Sequence, residues 1–169
     1  MTQKKVIIYT DGSSLGNPGP GGWGAVLMYG RHRKELSGGF KLTTNNRMEL
    51  LAAIEALKAL KTDKKQNVTL HSDSSYLVNS MTKGWIEKWK QNNWMKKTKP
   101  LLNVDLWKEL FKQKMKHNVE FVRVAAHKGI AENERCDQLA KEAASQENLP
   151  KDRGYLPNNI LEDNGDTDE

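Results

Sequence analysis

The chain has 169 residues, 37% of them hydrophobic, which suits one domain with one modest core and argues against a second. No apolar run approaches the roughly 18 to 20 residues of a membrane span, and residues 1–5 lead into a strand without a signal-peptide core, so a cytosolic protein is expected. Net charge is +6, but residues 150–169 hold two basic and six acidic residues, which leaves +10 on residues 1–149 and a body that attracts polyanions.

In chain order, the apolar run from Val6 to Tyr9, followed by Thr10, Asp11 and Gly12, reads as a buried strand ending at Asp11. Residues 21–30 and 35–40 are separated by glycine-rich breaks and complete three strands with short antiparallel connections. Thr43, Thr44, Asn45 and Asn46 offer N-cap chemistry ahead of a helix over 47–60, with Glu49 in its first turn. Residues 67–72 form a second strand with an aspartate, Asp73, at its exit, and 74–81 a short helix. This strand–helix–strand rhythm implies parallel pairing and therefore a mixed sheet. Residues 103–116 have helical spacing, 119–124 alternate as a last strand, and 133–144 form a helix carrying Cys136 and Asp137. Cys136, the single cysteine, forms no internal disulfide and fits a reducing compartment. From Pro150 on there is no sustained period, and 150–169 reads as a flexible acidic tail behind a body of 1–149.

Asp11 and Asp73 stand at the exits of two strands, and in open α/β sheets ligands bind outside the carboxyl ends of adjacent strands. With Glu49 and Asp137 they form a set of hard oxygen ligands that suits Mg²⁺ or Mn²⁺. Segment 83–99 holds six lysines against one glutamate, together with Trp85, Trp89 and Trp94. The indoles can pack the arm onto a neighbouring helix, and the lysines can meet phosphates while an indole abuts a sugar; both can hold at once.

The blocks TDGSSLGNPGPGGWG (10–24), TTNNRMELLAAIEAL (43–57), DSSY (73–76) and ENERCDQLA (132–140), in this order, resemble the bacterial form of the type 1 ribonuclease H family over about residues 5–146. The resemblance implies a ribonuclease H-like α/β fold: a five-stranded mixed sheet, three antiparallel strands then two parallel, flanked by helices. It implies a hydrolase that cuts the RNA strand of RNA–DNA hybrids and leaves 5′-phosphate and 3′-hydroxyl ends. The motifs match Asp11, Glu49, Asp73 and Asp137 to the family's metal carboxylates, holding two Mg²⁺ with Mn²⁺ as substitute, and His127 to its loop histidine. They match Ser14, Asn17, Thr44, Asn45 and Asn46 to positions that contact the hybrid, although turn formation and helix capping explain each of these singly. The arm resembles the family's basic protrusion and offers Trp85, Trp89, Lys88, Lys90, Lys96 and Lys97 to the substrate. A monomer without an obligate protein partner is expected.

The chain departs from the pattern at Ser75, where glutamine is usual, and at Ala126, where glycine is usual, and Lys128 brings a cation beside His127. A positive φ at position 126 would be strained by alanine. Rival readings are a related-fold DNA nuclease, resolvase or strand transferase, disfavoured by the 16–22 and 45–49 segments, and a hybrid-binding module with decayed catalysis, disfavoured because no carboxylate is missing.

Overall fold

The structure, a computed structural model, describes residues 5–96, 99–125 and 129–156. Strands β1 (Val6–Ser14), β2 (Gly19–Tyr29) and β3 (His32–Thr43) form an antiparallel meander. Helix α1 (Asn45–Lys58) then crosses over to β4 (Asn67–Ser72), which pairs parallel with β1. Helices α2 (Ser75–Thr82) and α3 (Trp85–Gln91) lead into a two-stranded ribbon, β5 (Met95–Lys96) with β6 (Lys99–Pro100). After α4 (Val104–Lys114), β7 (Asn118–Arg123) pairs parallel with β4, and α5 (Ala131–Ala144) closes the body. The five-stranded sheet has the order β3-β2-β1-β4-β7, the mixed arrangement expected from the sequence.

Strand alternation assigns the two faces. Val6 and Ile8 of β1, with Ala25 and Leu27 of β2, join the main core with Met48, Leu50, Ala53, Ile54 and Leu57 of α1. Tyr9, Val26 and Met28 point to the other face, where Cys136 and Leu139 of α5 cover them. The helices come close because β-carbons are missing where they cross. A Cβ on Gly12 would overlap the α1 backbone at Met48 and Glu49, and one on Gly24 would lie 2.6 Å from the Cys136 carbonyl oxygen.

Most boundaries shift by a few residues from the sequence expectation, and two of these shifts move site residues. β1 does not end at Asp11 but runs to Ser14, because antiparallel pairing with β2 continues to Gly21 after parallel pairing with β4 has stopped at Ser72. α1 starts at Asn45, with the Thr44 hydroxyl accepting from the Arg47 amide, so Glu49 lies in the second turn rather than the first.

The first residues of the expected tail are bonded to the body. The Lys41 amide donates to the Pro150 carbonyl, and the Thr43 hydroxyl donates to Asp152 Oδ2 at 2.6 Å. Arg47, 2% exposed, donates through Nε and Nη2 to Asp152 and through Nη1 and Nη2 to Asp105. Burial works against the guanidinium charge, but the hydrogen bonds and charges of Asp105 and Asp152 outweigh it and hold the Arg47 pKa above its ordinary value. A buried guanidinium needs such partners, and one of them comes from a segment whose composition alone read as a loose tail.

Candidate metal centre and nucleic-acid edge

β1 and β4 are parallel neighbours, and their pairing ends at Thr10 and Ser72. Asp11 and Asp73, one residue further on, therefore stand side by side where β1 and β4 part. Glu49 approaches from α1 over Gly12, whose missing side chain admits the helix backbone. Asp11, Glu49 and Asp73 each offer a carboxylate oxygen, and these three atoms lie within 4.8 Å of one another. Asp137 arrives from α5 on the other face and makes a side-chain hydrogen bond with Asp11, while its Oδ2 lies 3.0 Å from Nζ of Lys141. The four predicted carboxylates thus meet, three tightly and the fourth at the margin.

Crowded carboxylates resist ionisation. Burial, then the charges of Asp73 and Asp137, push the Asp11 carboxyl up to about 8, against a single lowering hydrogen bond from the Gly12 amide at 2.9 Å. Glu49 is driven well above the usual carboxylate range by burial, then by Asp11 and Asp73. Its Oε1 is buried without a hydrogen-bond donor, a costly state for a carboxylate oxygen unless something else meets it. A hard divalent cation satisfies this donor set: oxygen ligands only, anionic, converging, one of them an orphan.

Beside the carboxylates runs a connected polar edge. The Ser14 hydroxyl donates to Asn45 Oδ1 at 2.9 Å, and the Asn45 amide donates to Asn17 Oδ1 at 3.1 Å. Three of the five predicted hybrid contacts therefore form one exposed chain across the β1–β2 turn and the start of α1. Thr44 differs: it is buried, and its hydroxyl serves as the α1 cap. Asn46 is half-buried at the same helix start.

On the arm, Lys88 and Lys90 are exposed, with Lys90 Nζ 4.6 Å from the Phe111 ring centroid. Trp85 keeps partial exposure. Trp89 corrects the expectation for that position: it is 4% exposed, 5.1 Å from Trp107 between ring centroids, and belongs to the core. The two indoles share a helix face as their spacing implied, but α4 lies over the end that carries Trp89. Lys96 pairs in β5, Lys97 lies outside the described residues, and so do His127, Ala126 and Lys128.

The ribonuclease H family model matches residues 3–145. A ribonuclease H from Syntrophus aciditrophicus is 58% identical over 154 residues, covering 90% of this chain and 88% of that protein. The chain belongs to the type 1 ribonuclease H family. Among solved ribonucleases H, LC9-RNase H1, described as a type 1 enzyme with the type 2 active-site motif, superposes with a TM-score of 0.77 at 35% identity, covering 85% of this chain and 74% of that one. LC11-RNase H1, solved in complex with an RNA/DNA hybrid, has a TM-score of 0.62 at 31% identity, covering 83% and 96%. As a ribonuclease H, this protein hydrolyses the RNA strand of RNA–DNA hybrids. Two residues beside its ribonuclease H site escaped the sequence reading. Lys141 was signalled by its four-residue spacing from Asp137, whereas nothing local marked Asp152 as the partner of Arg47.

Proposed function

We propose that Asp11, Glu49, Asp73 and Asp137 hold two divalent ions, Mg²⁺ with Mn²⁺ as substitute, and that the RNA strand is cut to 5′-phosphate and 3′-hydroxyl ends. The observation that carries this reading is the convergence of Asp11, Glu49 and Asp73 around the orphan Oε1 of Glu49. When bound, such ions supply an activated water, charge relief on the phosphate and help for the departing oxygen. The protein's own part is to gather the ligands, shed the proton that Asp11 retains near neutral pH, and hold the substrate in register.

Register comes from the Ser14–Asn45–Asn17 edge, which reads strand shape and hydroxyls rather than base sequence. Thr44 acts by fixing the start of α1, and Asn46 extends that edge. Lys88 and Lys90, with Lys96 and Lys97 further along the arm, meet phosphates, and Trp85 is the indole open to a sugar. His127 takes or returns a proton during cleavage. The protein works as a cytosolic monomer, and among the described residues no helix is long and apolar enough to cross a membrane.

End-labelled RNA–DNA hybrid, duplex RNA and duplex DNA, each with Mg²⁺ or EDTA, test the reading. Cleavage confined to the RNA of the hybrid, dependent on Mg²⁺ and slowed in turnover by His127→Ala, is expected. Cleavage that persists in EDTA would refute the metal assignment, and duplex DNA as the preferred substrate would refute the substrate.

A further inference from the structure

Asp137 has a cation already against it. The Lys141 ammonium, one helical turn further along α5, lies 3.0 Å from Asp137 Oδ2. The Asp137 side chain retains about a quarter of its exposure and that of Lys141 more than half, so a cation coming from solvent can reach the same oxygen. The inner carboxylates Asp11, Glu49 and Asp73 converge without Asp137, whose link to them is its hydrogen bond with Asp11.

Charge counting makes the lysine consequential. Two divalent ions balance four ionised carboxylates, and an ammonium on one of these ligands is a fifth positive charge in the same few ångströms. It must leave Asp137 Oδ2, or repel the ion that shares it. An exposed lysine–carboxylate pair at helical spacing is weak, so displacement is easy.

We propose that Lys141 is the resident counter-ion of Asp137: it neutralises the fourth carboxylate before metal arrives, yields it as the outer divalent ion enters, and so sets that ion's affinity. The inner trio is untouched. This rests on the reading of the four carboxylates as metal ligands, and Lys141 is a positioning residue that never meets the reacting atoms.

The test is calorimetric titration of Mn²⁺ into the whole protein without nucleic acid, comparing the parent with Lys141→Gln and Lys141→Arg, each first shown to unfold cooperatively. In Lys141→Gln the weakest resolved Mn²⁺ event tightens about two- to fivefold, the scale of an exposed ion pair, while the tightest event is unchanged. Lys141→Arg stays close to the parent. The thermal stabilisation conferred by Mg²⁺ is also larger in Lys141→Gln than in the parent, by an increment that follows the logarithm of that fold-change. Unchanged isotherms in Lys141→Gln, with Mn²⁺ binding intact in the parent, would overturn this inference alone and leave the pair as helix stabilisation. A parent that binds no Mn²⁺ would overturn it together with the metal reading.

Discussion

Asp11 shows how one side chain couples chemistry to stability. Its carboxyl sits at about 8 in the metal-free fold against an ordinary 3.8. Below about pH 4 both the folded and the unfolded chain carry the proton, and folding loses nothing. Between 4 and 8 only the folded chain holds it, so stability falls as pH rises through that window and the loss is complete above 8. Glu49, raised in the same direction, adds to the slope. Asp11→Asn should therefore stabilise the metal-free protein at pH 8 by roughly 1–3 kcal/mol, or about 2–4 °C in Tm per kcal/mol, and flatten the pH dependence while abolishing cleavage. Thermal melts from pH 5 to 8 in EDTA measure this, and a variant less stable than its parent at pH 8 would contradict it. Saturating Mg²⁺ should invert the slope in the parent, since metal competes with the protons. At this scale the sequence was informative about identity but not environment: the acids were visible, and the spacing of Lys141 from Asp137 allowed their ion pair, whereas the burial of Glu49 Oε1 depends on packing between distant elements.

Among the elements, the start of α1 matters most. Thr44 caps it, Gly12 lets it approach β1, Asn45 opens toward the polar edge, and Arg47 fastens it to α4 through Asp105 and to the C-terminal segment through Asp152. Removing one partner of a buried guanidinium leaves charge uncompensated, so Asp152→Ala should cost about 3 kcal/mol. Ending the chain after residue 149 should cost at least as much, and ending it after 156 should cost little. Urea unfolding of the three proteins decides the point; equal stability of the 149 and 156 truncations would show that the clasp contributes nothing. The strands of the main sheet and its longer helices were legible as periodic segments, and the point where β1 and β4 part was marked by an aspartate on each, but the β5–β6 ribbon was not read. The clasp was not legible, because an isolated Pro-Lys-Asp-Arg-Gly stretch has no period, and its order comes from a guanidinium more than a hundred residues away.

For the whole molecule, a body charged +10 carries a tight knot of acids at one end of its sheet, and the two act on different parts of a substrate. Phosphate contacts by lysine release counter-ions, so Lys88→Gln with Lys90→Gln should raise KM several-fold at low salt and lessen its rise with salt, leaving kcat nearly unchanged. An unaltered salt slope would remove the arm from substrate binding. The mixed five-stranded sheet and the candidate carboxylates were expected from the family resemblance that the motifs carry. That Trp89 is core and Trp85 is open could not be inferred, since helical spacing gives a shared face but not which end of it the neighbouring helix covers. Whether Asp11, Glu49 and Asp73 share a divalent ion is decided by crystals soaked in Mn²⁺. An anomalous scattering peak is expected about 2.0–2.2 Å from an oxygen of each of the three carboxylates, with Asp137 beside it; no peak there, with the three side chains turned apart, would rule out a shared ion.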